Sequence, residues 1–138
     1  MPAWGVGPFE NDVAVDWAQE CAQQADVAFV AATLDQVLVS AEEDLDADDA
    51  EEGIAAAEAV ARMLGNRGTQ DSFSKPVDDW IGCGHPPVTP ELAAKARQAL
   101  ARILTDPSEL LELWDASDNF PEWRSGMEAL LSRCQEAK

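Results

Sequence analysis

Four alanines in five positions, Ala55, Ala56, Ala57 and Ala59, run into Val60, Ala61 and Leu64 and constrain this chain more than any other stretch. Alanine is the strongest helix former, and its small side chain lets neighbouring helices approach closely. The same periodicity extends through the rest of the sequence, where apolar residues recur at spacings of three and four and strand-like alternation is nearly absent. The chain therefore reads as all-α.

Six segments carry the pattern. In the first, Asn11 is placed to cap the free N–H groups of a helix and Asp12 suits the positive end of its dipole. Val13, Trp17 and Cys21 then fall four apart, with Ala14, Ala18 and Ala25 beside them. The second starts after Asp26 and runs through Val27, Val30, Leu34, Val37, Leu38 and Ala41, with Phe29 near that face. It carries so few charges that it is expected at the centre of the core. The alanine-rich third helix is expected to begin near Asp48 or Asp49 and to stop at Gly65.

Thr89-Pro90-Glu91 combines a cap, a first-turn proline and an acid suited to the dipole, opening a fourth helix through Leu92, Ala96, Ala99, Leu100, Ile103 and Leu104. Asp106-Pro107-Ser108-Glu109 repeats that signal ahead of Leu110, Leu111 and Trp114. A last helix carries Trp123, Met127, Leu130, Leu131 and Cys134. Residues 65–88 read as a long loop with at most one helical turn around 77–81. The expectation is a single compact domain of five to six helices over residues 1–138, preceded by an N-terminal arm over 1–10. A chain of this length buries roughly two-thirds of the surface it exposes when unfolded, so it needs neither disulfide nor metal to hold a core.

Charge is the main anomaly. The net charge is −18. Residues 1–60 hold 15 acids and no Lys or Arg, whereas residues 61–138 hold 12 acids and 9 bases, so the halves carry −15 and −3. Such a field repels nucleic-acid phosphates and anionic lipid, and attracts cations or a basic protein. The longest charge-free run, 80–90, is far shorter than the ~18 apolar residues of a membrane-spanning helix. The first basic side chain is Arg62, so no positively charged secretory leader is expected. Cys21, Cys83 and Cys134 are odd in number and widely spaced, which suits free thiols in a reducing cytoplasm. A cytoplasmic location is expected.

The opening, MPAWGVGPFENDVAVDW, joins two glycines to flanking aromatic rings. Gly5 and Gly7 suit a backbone that turns or approaches a neighbour closely, and Trp4 and Phe9 suit anchors that fold the arm over the helices. This opening resembles a bacterial family, domain of unknown function 4259, whose members begin with a Trp-Gly-x-Gly-x-Phe-(acid)-(Asn/Asp)-Asp pattern. The match falls on Trp4, Gly5, Gly7, Phe9, Glu10, Asn11 and Asp12, then on Ala14 and Asp16. Weaker likeness continues through AAAEAVARMLG and SELLELWD, and Pro2 stands where members often have glycine. The resemblance implies a small bacterial protein of unassigned activity and supplies no catalytic residue.

Several constellations could carry function. A phosphate cradle in the glycine-bearing opening is disfavoured by Glu10, Asp12 and Asp16, which repel an anion. Asp12, Asp16 and Glu20 are spaced by four and form an acidic ridge opposite Val13, Trp17 and Cys21. Like charges at that spacing cost an isolated helix about 0.2–0.5 kcal/mol per pair. The ridge, with Glu10, can receive basic side chains of a partner, or pair internally with Arg62, Arg97 or Arg102. Residues 42–52, EEDLDADDAEE, hold eight acids in eleven positions. Asp44, Asp46 and Asp48 have the first three spacings of a calcium loop, but Asp49 stands where its glycine belongs and Ala55 where its bidentate acid belongs. Cys83 lies two residues from His85, the only histidine, as a thiol–imidazole pair would. A zinc site there would need Cys21 and Cys134 as well, and both sit on apolar helix faces. Trp17, Trp114 and Trp123 fall on core faces. Trp80, beside Cys83 and the prolines, is the tryptophan best placed for exposure and hence for an interface.

The function expected from these features is a non-catalytic interaction module whose acidic half binds a basic protein, as an inhibitor or immunity protein masks a toxic nuclease. No cofactor, nucleic acid or membrane partner is expected, and the oligomeric state is not legible. The alternative is an enzyme or divalent-metal protein using the acidic segment or Cys83 and His85.

Overall fold

The computed structural model describes residues 11–24, 27–39, 44–66, 75–84 and 87–135. The arm over 1–10, including Trp4, Gly5, Gly7, Phe9 and Glu10, lies outside the described residues, as does His85. The described residues form seven helices: α1 (Asp12–Gln24), α2 (Val27–Leu38), α3 (Ala47–Met63), α4 (Lys75–Gly82), α5 (Pro90–Ile103), α6 (Glu109–Asp115) and α7 (Phe120–Arg133). No strand occurs among them; one isolated parallel bridge joins Leu45 to Ser108.

The helix starts follow local chemistry. Asn11 accepts a hydrogen bond from the Ala14 amide through Oδ1 at 2.8 Å, which satisfies one of the orphan donors of α1. Asp46 accepts from the Asp48 amide at 2.7 Å, so α3 begins one or two residues earlier than its charge pattern suggests. The Thr89 hydroxyl oxygen accepts from Leu92 N–H at 3.1 Å, with Pro90 in the first turn. Ser108 accepts from Leu111 N–H at the start of α6. At the far end of α3, Gly65 takes a φ of 89°. Its amide donates to Arg62 O and that of Asn66 donates to Ala61 O, the paired bonds of a Schellman motif.

The seventh helix is α4, in the stretch expected to be a long loop. Pro76 sits in its first turn, and Val77, Trp80 and Ile81 provide an apolar face at spacings of three and four. Those three residues bury that face, and α1 is the principal neighbour of α4.

The centre of the molecule is α3, not α2. Helix α3 touches all six other helices, and between Ala50 and Met63 only Glu52 is not buried. Alanines and Gly53 keep the cylinder narrow enough for neighbours on every side. A Cβ added at Gly53 would lie 2.5 Å from Val37 Cγ2 and 3.4 Å from Ile103 Cδ1, which shows how closely α2 and α5 approach. Helix α2 buries one face only, through Val30, Thr33, Leu34 and Val37. Helices α2, α3 and α5 pack against one another, α1 lies against α3 and α4, and α6 and α7 close the other side of α3.

Thr33, Glu58 and Arg62, polar side chains inside this core, are paired across helices. Trp17 Nε1–H donates to Thr33 Oγ1 at 2.9 Å and the Thr33 hydroxyl donates to Phe29 O at 3.0 Å. The Trp17 and Phe29 rings also stack at 5.5 Å, tying α1 to α2. Glu58, 1% exposed, receives Arg62 Nε–H at 2.9 Å and both Nη groups of Arg133 at 2.7 and 2.5 Å. Arg62 also reaches Asp78 on α4 at 2.9 and 3.0 Å. Two acids and two guanidinium groups thus join α3, α4 and α7.

The acidic stretch is anchored where it enters α3. Leu45 is 1% exposed; its amide donates to Pro107 O at 3.2 Å and its carbonyl accepts from Glu109 N–H at 2.9 Å. The Ala47 amide donates to Glu109 Oε1 at 3.0 Å. Arg102 in turn donates to Thr105 O and Pro107 O, holding the α5–α6 loop that makes these bonds.

Candidate functional site

Helix α1 turns Ala14, Trp17, Ala18 and Cys21 inward, each at most 1% exposed. A helix that buries this stripe places Asp12, Asp16 and Glu20 outside, and all three are exposed. None of the three forms an ion pair with a described residue. The arginines that could have neutralised them are engaged elsewhere. Arg62 binds Glu58 and Asp78, Arg97 donates to Cys134 O, and Arg102 holds the α5–α6 loop.

The ridge does not stop at α1. The Glu52 carboxyl is raised from its ordinary value by burial first, then by the charges of Asp49, Glu20 and Asp48. Asp49 is raised by burial and by Asp46 and Asp48, while a hydrogen bond from Gln36 at 2.8 Å works in the opposite direction. Glu20 on α1 therefore shares one field with Asp48, Asp49 and Glu52 on the first turns of α3. The sequence separated these groups into a ridge and a distant acidic run. Helix packing brings them together, and the only signal ahead of it was the −15 concentrated in the first 60 residues.

Glu51 differs from its neighbours. It is 4% exposed and, among the described residues, its Oε2 has no hydrogen-bond partner. Burial, with a contribution from the Asp48 charge, pushes its carboxyl up to about 7.

The other sequence candidates fare differently. Asn11 is 7% exposed and is occupied as a cap, and Trp17 is a core residue. Trp80 is 7% exposed on the inner face of α4, so it offers no interface surface; the helix that forms there turns it inward. Asp46 caps α3 and Asp48 already belongs to the helix, so the spacing of a calcium loop has no loop to act in. Among the described residues, no three His, Cys, Asp or Glu side chains are grouped as metal ligands would be. Cys83 is exposed just beyond α4, and its partner in the suggested pair, His85, lies outside the described residues. Cys21 and Cys134 are fully buried, and burial pushes both thiols up to about 12. Such thiols are unreactive at neutral pH.

A groove of about 280 Å³ between α2 and the start of α5 is lined by Val27, Ala31, Pro87, Leu92 and Lys95 among others. Lys95, its cation, is held by Asp35 at 2.8 Å. Thr89 and Glu91 are the other polar side chains that line it. Among the described residues, no helix is long and apolar enough to cross a membrane.

A family model described as "Domain of unknown function (DUF4259)" matches residues 2–126. No curated protein and no solved structure matches the chain.

Proposed function

The chain belongs to the DUF4259 family, whose function is unassigned, and from the surface of this molecule we propose a non-catalytic interaction module that binds a basic protein through its acidic N-terminal half. The observation that carries this reading is the exposed Asp12–Asp16–Glu20 ridge, which lacks cations among the described residues and is continuous in field with Asp48, Asp49 and Glu52. Like charges at the i, i+4 spacing of the ridge repel one another in the free protein, and the charges of Asp49, Glu20 and Asp48 add to the burial that raises Glu52. A partner that brings Lys or Arg to them relieves that repulsion, so the unfavourable term in the free state becomes a favourable one in the complex.

The concrete form of the proposal is an inhibitor or immunity-type protein that covers the cationic surface of a nuclease or nucleic-acid-binding protein in a reducing cytoplasm. A field of this sign accelerates encounter with such a surface and turns nucleic acid itself away. Val39, 77% exposed at the end of α2, is an apolar side chain in the acidic half that can add contact area. The test is affinity capture from the native host at low and at high ionic strength, with the bound proteins identified. The proposal expects a basic protein that is held at low salt and released as salt rises. A set of bound proteins unchanged by salt would overturn it.

A further inference from the structure

No further inference is drawn: the strongest candidate, the carboxylate cluster where the outer face of α1 meets the first turns of α3 beside the buried Glu51, is an acidic cluster with no second observation in the structure that points to a ligand.

Discussion

Arg133, in the last turn of α7, places Nη2 2.5 Å from Oε1 of Glu58, which is buried in the middle of α3. The two residues are joined across the core, and Arg62 completes the arrangement from the same helix as Glu58. Removing the single acid takes a carboxylate from two guanidinium groups at once: Arg62, 3% exposed, keeps Asp78, and Arg133 keeps the Asn66 carbonyl. Glu58→Gln is therefore expected to lower unfolding free energy by about 3–5 kcal/mol. Arg133→Met, which leaves Glu58 its bond from Arg62, is expected to cost roughly 1–3 kcal/mol. Denaturant unfolding of both variants and of the double variant measures the coupling. Additive losses would show that the pair is not a unit.

Two glycines separate close packing from helix propensity. Gly53→Ala forces a Cβ to within 2.5 Å of Val37 Cγ2, and is expected to destabilise by about 1–3 kcal/mol despite alanine's better propensity. Gly126 lies in the exposed part of α7 with nothing within 4 Å of an added Cβ. Gly126→Ala is expected to stabilise by roughly 0.5–1 kcal/mol. Thermal melts of the two variants should move in opposite directions. A Gly53→Ala protein as stable as the parent would mean that α2 and α3 are not so close.

Much of this architecture was legible in the sequence, and the failures have physical causes. Helix starts at Asn11, Thr89 and Ser108 and the stop at Gly65 are local: each depends on a cap or a backbone conformation that a few residues specify. Helix α4 was hidden because the Gly, Ser and Pro residues around it suggest a loop, while its formation depends on burying Val77, Trp80 and Ile81 in the core. That same tertiary effect turned Trp80 inward. The central place of α3 was hidden because periodicity looks for one apolar stripe, whereas a helix of alanines can be buried all round with Glu51, Glu58 and Arg62 inside it. The pairing of Glu58 with Arg133 has no local signal at all. Of the candidate site, the i, i+4 ridge of α1 was legible; its junction with Glu52 depends on how α1 lies on α3.

Glu51 makes stability depend on pH. Its carboxyl sits at about 7 in the folded protein against 4.5 ordinarily. A raised acid binds its proton more tightly when folded, so its contribution is complete below about pH 4.5 and is lost as pH rises through 7. The loss amounts to about 1–3 kcal/mol. Glu51→Gln should be more stable than the parent at pH 8, with the difference shrinking towards pH 4.5. Parallel stability curves for the two proteins would contradict the assignment. Asp49 and Glu52 are raised as well and remain in both proteins, so the comparison isolates Glu51.

The thiols are expected to divide one against two. Cys83 is exposed, whereas Cys21 and Cys134 are fully buried and Cys134 Sγ–H donates to Ala57 O at 3.4 Å. A chromogenic disulfide reagent at pH 8 should modify one thiol quickly in the native protein and all three after denaturation. Loss of the fast phase in Cys83→Ser would identify it. Two fast thiols in the native protein would place a buried cysteine wrongly.

The proposed function is tested most directly at the ridge on α1. Neutralising it with Asp12→Asn, Asp16→Asn and Glu20→Gln changes exposed groups only, so folding should be retained, as a melt can verify. The decisive measurement is the affinity of the parent and of this triple variant for the basic protein captured from the host, across a range of salt. The account predicts that the variant binds at least about tenfold more weakly at low salt and that its affinity depends less steeply on salt. Equal affinity and equal salt dependence for the two proteins would contradict it.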